Sequence, residues 1–313
     1  MPDNLAVIIV SYNVRSFLEK CLSSLLDELN SADFKASTYV IDNASSDGSP
    51  ELVRKRFPSV NLIANESNLG FAAANNLVMR ELLKEPAPPD YFFLLNPDTQ
   101  VCQGAICKLL NFMENHPVVA VAGPKLLNPD GSLQHSAFRF PGLMQVFLDF
   151  FPLHHRIASS PLNGRYPRRL YERGKPFPVD HPLGAAMMVR REAVEQVGLM
   201  DEGFFMYCEE IDWCIRFRKA GWQIYCVPEA EIVHHIARST SQFQDRMFVE
   251  LWRSRYRLFT KYRGPLFLKA LRLLVKMGLR RKIAATQAAA RKGVITPQEL
   301  QRRLEAYLKV MEM

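Results

Sequence analysis

The 313-residue chain is 48% hydrophobic and 23% charged, proportions that exclude a disordered or fibrous protein and allow a sizeable core. Its formal net charge of +8 is unevenly placed: Arg246 to Lys282 holds twelve Lys or Arg against the single acid Glu250, more than the whole excess. The six cysteines include no C-x-x-C pair, the start Met-Pro-Asp-Asn-Leu lacks the layout of a secretion signal, and no apolar run reaches the roughly 18 residues that span a bilayer; together these point to a reducing cytoplasm.

Leu5 to Val10 is an unbroken apolar run ending in Ser11-Tyr12-Asn13, and Phe17, Leu18, Cys21, Leu22, Leu25 and Leu26 follow at helical spacing. A buried strand and then a helix are expected. The pattern repeats as a strand Thr38 to Ile41 before Asp42, a helix Pro50 to Phe57, a strand Val60 to Ala64, a helix Ala72 to Leu83, and a strand Tyr91 to Leu95 before Asn96. Strands alternating with helices imply an α/β fold with a largely parallel sheet covered on both faces. Ligands of such sheets bind beyond the carboxyl ends of the strands, where Asn13, Asp42 and Asp98 all fall.

The second half begins with a strand Val118 to Ala122 and a turn at Asn128-Pro129-Asp130-Gly131. A Pro- and Arg-rich stretch, Phe140 to Pro178, reads as a long functional loop. A strand near Ala185 to Val189 and a helix Glu209 to Ala220 follow. Beyond His235 the chain becomes helical: Leu, Phe, Tyr and Arg recur at helical spacing to about Lys282, then come an Ala-rich helix and a final helix after Pro297. The boundary between a first domain, 1–240, and a basic helical region, 241–313, is placed near residue 240.

Four constellations carry chemistry. Asp42-Asn43-Ala44-Ser45-Ser46-Asp47-Gly48-Ser49 leaves a buried strand as a polar turn, in which Asp42 can accept from a base or ribose hydroxyl and Asp47 or Ser49 can cap the next helix. Asn68 to Asn76 enters a helix through Gly70 and small residues, where backbone N–H groups could meet phosphate or simply allow close packing. In Leu94-Leu95-Asn96-Pro97-Asp98-Thr99 the proline ends a strand and presents Asp98, a candidate ligand for Mg²⁺ or Mn²⁺ shared with phosphates, or an ordinary turn cap.

The fourth runs from Met200 to Trp213. Acids in a first helical turn suit the helix dipole, but Phe204-Phe205-Met206-Tyr207 beside Glu209 and Glu210 suggests a partly desolvated acid whose raised pKa would serve a general base. His234 or His235, at a strand end, could join Asp98 on a metal.

In this order, Val-Ser-Tyr-Asn, Asp-Asn-Ala-Ser-Ser-Asp-Gly-Ser, Asn-Leu-Gly-Phe-Ala, Leu-Asn-Pro-Asp-Thr, Gly-Ala-Ala-Met and Phe-Phe-Met-Tyr…Glu-Glu-Ile-Asp-Trp resemble the inverting family 2 glycosyltransferases of the GT-A fold, in particular their rhamnosyltransferase-like branch, over about residues 5 to 240. The resemblance implies a mixed sheet flanked by helices. It implies that Asp42 and the backbone of Ser11, Tyr12 and Asn13 hold the base and ribose of a nucleotide-diphosphate sugar, with Asp47, Asn75 and Asn96 on the donor side and Gly184 and Ala185 leaving room for the sugar. Asp98 and His234 would ligate the metal. Glu210, or else Glu209, would deprotonate a saccharide or lipid-linked acceptor in cell-surface polysaccharide synthesis, with rhamnose from dTDP-rhamnose the expected transfer and a UDP-hexose the alternative. Two positions depart from the family: its Asp-x-Asp reads Asn96-Pro97-Asp98, and its Glu-Asp reads Glu209-Glu210. A non-catalytic sugar-nucleotide binder is the reading those departures would favour.

In the basic tail Arg253, Arg255, Arg257, Lys261, Arg263, Lys269, Arg272, Lys276 and Arg280 interleave with Trp252, Tyr256, Phe259, Tyr262, Phe267, Leu268 and Leu271. That composition suits peripheral docking on the inner face of a membrane, against a plain reading as a packed helix with a solvated basic face. A nucleic-acid site would use the same residue types but leaves the first 240 residues without a role, so no nucleic-acid partner is expected.

Overall fold

The computed structural model describes residues 5–151, 160–235 and 244–313, and the proposed boundary near 240 lies outside them. β1 (Leu5–Ser11), α1 (Arg15–Asn30), β2 (Ala36–Asp42), α2 (Ser49–Arg56), β3 (Asn61–Ala64), α3 (Gly70–Leu82) and β4 (Tyr91–Leu95) alternate as expected. β1 and β4 read as continuous apolar runs because they are buried on both faces, and α1 turns Leu18, Cys21, Leu22 and Leu25 onto the sheet. These strands pair in parallel in the order β3-β2-β1-β4. Ser11 therefore lies opposite Asp42, and Leu95 opposite Ile9, so three carboxyl ends share one edge.

The second half adds β5 (Thr99–Val101), α4 (Ala105–Glu114), β6 (Val119–Leu127), β7 (Leu133–Gln134) and β8 (Ala137–Phe138). After α5 (Leu143–Phe150) and α6 (Arg168–Glu172) come β9 (Phe177–Pro178), β10 (His181–Pro182), β11 (Ala186–Arg190), α7 (Arg191–Val197), α8 (Glu209–Lys219) and β12 (Gln223–His234). The sheet is mixed: β11 runs antiparallel between β4 and β6, and β12 runs parallel to β6 and antiparallel to β5. Because β11 starts where β4 ends, Gly184 and Ala185 fall at the edge occupied by Asn96, whose N–H donates to the Ala185 carbonyl at 2.8 Å. β12 ends opposite β5, with His234 paired to Thr99.

The stretch 140–178 is not one long loop, since its described part holds α5, a 3-10 turn at Pro161–Asn163, α6 and β9. Leu143–Phe150 is a largely apolar helix that buries Val146 and Phe150, one turn apart on one side, and Leu148 on another. The tail forms α9 (Gln244–Tyr262), α10 (Pro265–Arg291) and α11 (Pro297–Met311). Basic and Ala-rich segments, expected as separate helices, merge into the 27-residue α10 because nothing between Lys282 and Gly293 stops it.

The chain forms two compact units, one comprising 1–139, 166–205 and 209–239, the other 140–165, 206–208 and 240–313. In the second unit Phe150 shares one buried core with Trp252, Phe259, Leu271, Val275, Leu279 and Val310, and its ring stacks on Trp252. Gly278 permits this, because a β-carbon there would sit 2.1 Å from the Phe150 ring. Much of the aromatic content of the tail thus packs inward.

In the first unit Gly70 opens α3 at φ +80°, and the Phe71 N–H donates to the Phe205 carbonyl at 2.9 Å. A β-carbon at Gly70 would lie 2.2 Å from that oxygen. Gly131 has the same φ of +80° but open space around it. Gly131→Ala should lose only the left-handed backbone cost of about 1–2 kcal/mol, and Gly70→Ala at least twice as much. Thermal melts that place the two variants together would refute this docking role for Gly70.

Candidate active site

Asp42 ends β2 almost fully enclosed, at 1% exposure. Its Oδ2 accepts the Ser45 N–H at 2.8 Å, while its Oδ1 and the neighbouring Ser11 Oγ are buried with no hydrogen-bond partner. Native interiors rarely leave such acceptors unmet, and a pair of them at adjacent strand ends fits the N–H and O–H groups of a bound base or ribose. Tyr12, half-buried, leads into Asn13, whose N–H donates to Ser45 Oγ at 2.9 Å and whose Oδ1 accepts the Ser46 N–H at 2.8 Å. Asn13 and Ala44 both hold left-handed backbone, at φ +53° and +63°.

Asp47 is placed differently from Asp42. One oxygen accepts the Arg15 N–H at 2.7 Å and the other accepts the Ser49 N–H at 3.0 Å and hydroxyl at 2.6 Å, so this carboxylate caps the starts of α1 and α2. Burial opposes its charge, but those hydrogen bonds, led by Ser49, hold its carboxyl below the usual range. Asp47 positions the turn.

The start of α3 is not an open phosphate cradle. The Gly70 N–H goes to Asn68 Oδ1 at 2.9 Å and the Phe71 N–H to Phe205. Asn75 is fully enclosed, donating to the Phe71 carbonyl at 2.9 Å, and its Oδ1 is buried with no hydrogen-bond partner. Its neighbour Asn76, which the sequence places at the end of the same segment without a role of its own, exchanges hydrogen bonds with Met200 at 2.8 and 3.1 Å and reaches Glu202 at 2.9 Å. It thereby fixes the segment that leads to the acids. No local pattern marks it, because its partners lie more than a hundred residues away.

Asp98 and His234 are both buried, and His234 Nε2 stands 3.4 Å from Asp98 Oδ1. The His235 N–H donates to the Asp98 carbonyl at 2.9 Å, while the His235 ring goes to Gln100 Oε1 at 3.1 Å. Of the two histidines, His234 is therefore the one aimed at Asp98. Among the described residues no three His, Cys, Asp or Glu converge, so a cation here would draw its other ligands from diphosphate or water. One carboxylate with diphosphate and water oxygens is a set that a hard divalent cation takes, and the imidazole would add one nitrogen ligand to it. Asn96, half-buried at the same edge, accepts the Thr99 hydroxyl on its carbonyl at 2.7 Å.

Tyr207 and Cys208, at φ +69° and +67°, lead directly into Glu209 and the first turn of α8. Glu209 is 5% exposed with Oε2 unpartnered. Burial first, and then the charge of Glu210, push its carboxyl well above the usual range. Glu210 is less enclosed and lies against Gly184: a β-carbon there would sit 3.5 Å from its Cγ and 3.7 Å from its Cδ. Asp212, the third acid, is fully buried and accepts from Arg216 at 2.9 Å, and Arg216 also holds the carbonyls of Val197 and Leu199 at 2.9 and 2.8 Å. It anchors the helix. Its i,i+4 spacing to Arg216 is the signal that could have shown this.

The sequence matches the family model for glycosyl transferase family 2 over residues 6–198. It is 34% identical over 253 residues to the N-acetylglucosaminyl-diphospho-decaprenol L-rhamnosyltransferase of Mycobacterium tuberculosis, covering 77% of this chain and 79% of that protein. It is 27% identical over 237 residues to the dTDP-rhamnosyl transferase RfbF of Shigella flexneri, covering 75% of this chain and 70% of that one. The fold is shared with the mannosyltransferase PcManGT of Pyrobaculum calidifontis, solved with GDP-Man and Mn²⁺, at a TM-score of 0.56 and 16% identity over 100% of this chain and 86% of that one. This chain belongs to glycosyl transferase family 2 and is a glycosyltransferase.

Proposed function

We propose that the enzyme transfers rhamnose from dTDP-rhamnose to a lipid-linked or saccharide acceptor, with inversion, in the synthesis of a cell-surface polysaccharide. The closeness of Glu210 to Gly184 at the sheet edge carries the catalytic part of this reading, because a donor sugar held beside Gly184 would have a carboxylate next to it. The names of the two rhamnosyltransferase relatives support the sugar, and the second of them supports the nucleotide.

Glu210 takes the proton of an acceptor hydroxyl as that oxygen bonds to the anomeric carbon. The bond from that carbon to the diphosphate breaks on the opposite face, and the nucleoside diphosphate leaves with the electron pair. Burial, and then the charge of Glu210, push the Glu209 carboxyl well above its usual range, so the charge of the pair rests more readily on Glu210. Asp42 and Ser11 hold the nucleoside through their unmet oxygens. Mg²⁺ or Mn²⁺ on Asp98 and His234 would offset charge on the departing diphosphate.

The two unlike sides of α10 support a peripheral position on an anionic membrane. Leu271, Val275 and Leu279 face the core of the second unit, while on the opposite side Leu266, Leu273 and Met277 are 80%, 62% and 50% exposed. Lys269, Arg272, Lys276 and Arg280 flank that exposed stripe without a carboxylate partner among the described residues. An apolar stripe edged by cations fits lipid headgroups, each cation adding on the order of 1 kcal/mol. Among the described residues no helix is long and apolar enough to cross a bilayer.

Three experiments test these statements. With dTDP-rhamnose and UDP-hexoses as rival donors, Glu210→Gln should keep dTDP-rhamnose binding and lose at least about a hundredfold in turnover; full turnover by the variant removes Glu210 as base, and preference for a UDP-sugar removes the donor assignment. For Glu209 the sign follows from its raised pKa. The folded chain keeps a proton that the unfolded chain releases at lower pH, so stability falls as pH climbs from the glutamate range toward the folded value. Melting temperatures at about pH 5 and about pH 8 should show Glu209→Gln gaining on the parent at the higher pH, and parallel curves contradict the assignment. In vesicle flotation the protein should bind phosphatidylglycerol-rich but not neutral vesicles, and Leu273→Glu or Lys276→Glu should weaken that binding severalfold; unaltered binding places the membrane contact elsewhere.

A further inference from the structure

The turn Asn128-Pro129-Asp130-Gly131, which joins β6 to β7, has no part in the proposed chemistry, yet a continuous line of side-chain hydrogen bonds runs from it to His234. Its starting point is Asp130, fully at the surface, whose Oδ1 accepts the Ser132 hydroxyl at 2.6 Å and the Ser132 N–H at 2.9 Å. Those bonds keep the Asp130 carboxyl below its usual range, so it is an acceptor only. The hydroxyl hydrogen of Ser132 is thereby committed, and Ser132 Oγ accepts from Asn128 Nδ2 at 2.8 Å. With its nitrogen on that side, Asn128 turns Oδ1 to Gln134, which donates from Nε2 at 3.0 Å. Gln134 Nε2 gives its second hydrogen to the His234 carbonyl at 3.1 Å.

Both hydrogens of the Gln134 amide are then in use, and the atom left to meet His234 Nδ1, 2.7 Å away, is the amide oxygen. An amide oxygen can only accept, so Nδ1 carries the ring proton. In neutral imidazole the other nitrogen is then a bare lone pair. That nitrogen faces Asp98 Oδ1 at 3.4 Å, a contact too long to compete for the proton with one of 2.7 Å. Two acceptors facing each other across such a gap are drawn together by a cation, not by a shared hydrogen.

We propose that Gln134, oriented by the Asp130–Ser132–Asn128 line, is a positioning residue that holds His234 in the Nδ1–H tautomer with Nε2 presented to the cation site beside Asp98. The use of Nε2 as a metal ligand rests on the function proposed above, whereas the tautomer is a property of the metal-free chain. The sequence shows neither: Gln134 and His234 are a hundred residues apart, and the turn reads only as a turn.

The test is a long-range ¹H–¹⁵N correlation spectrum of the full chain, metal-free, with ¹⁵N-labelled histidine and at mildly alkaline pH, where imidazole is neutral. His234 is assigned among the seven histidines by the signal lost in His234→Asn. The expected result is Nδ1–H in the parent chain and in Gln134→Glu, which keeps an acceptor in place, and a shift toward the Nε2–H form favoured by free imidazole in Gln134→Leu. An Nε2–H parent overturns the proposal without recourse to any variant, as does a folded Gln134→Leu that leaves the tautomer unchanged. Mn²⁺ binding followed by electron paramagnetic resonance should weaken about 10- to 100-fold in Gln134→Leu. If His234→Asn binds Mn²⁺ as the parent does while the tautomer results hold, the metal reading fails and the positioning of the ring stands.

Discussion

Register between neighbouring strands governs this site, because Ser11, Asp42 and His234 each close a strand and Asp98 lies between two, so none has freedom to be elsewhere. Ser11 is opposite Asp42 because β1 and β2 pair without a bulge, and Ala186 is opposite Leu95 because β11 enters antiparallel at the point where β4 leaves. A one-residue slip would turn each of these side chains to the other face of the sheet. The antiparallel β11 matters most: in a wholly parallel sheet Gly184 would lie at the far edge, and Glu210 would have no strand start to rest against.

The same edge stores unfavourable energy. Ser11 Oγ, Asp42 Oδ1 and Glu209 Oε2 are buried without partners, each at a cost of about 1–3 kcal/mol. The non-glycine residues with left-handed backbone among the described residues are Asn13, Ala44, Tyr207 and Cys208. The first two shape the turn beside Asp42 and the others set the start of α8 at Glu209. Strain of this kind persists only where surrounding structure over-determines it, and here a bonded frame of Asn13, Ser45, Asp47 and Ser49 does so on one side. A ligand that satisfies the buried oxygens recovers part of that energy on binding.

Much of this was legible in the sequence where the cause is local. Apolar runs ending in polar residues marked β1, β2 and β4, and Asn-Pro-Asp after Leu95 marked a strand that could not continue. The resemblance then implied, in one step, the roles proposed for Asp98, His234 and Glu210. What escaped depends on tertiary contact. Asn76, Gln134 and the double capping by Asp47 act through partners distant in sequence, which no periodicity reports. The tail shows the other limit of periodicity: Trp252, Phe259 and Leu271 are core residues, and the stripe left to solvent is Leu266, Leu273 and Met277, a division set by packing against α5 and α11.

Asp98 and His234 join the sheet to the proposed chemistry, and donor binding tests that junction directly. Calorimetric titration of dTDP-rhamnose into the parent chain and Asp98→Ala, each with Mn²⁺ and with EDTA, separates the nucleoside contacts of Asp42 and Ser11 from the diphosphate contacts. The account predicts parent affinity at least about tenfold tighter with Mn²⁺, and an Asp98→Ala variant that binds at the weaker level in both conditions. A parent that binds equally tightly in EDTA would contradict it.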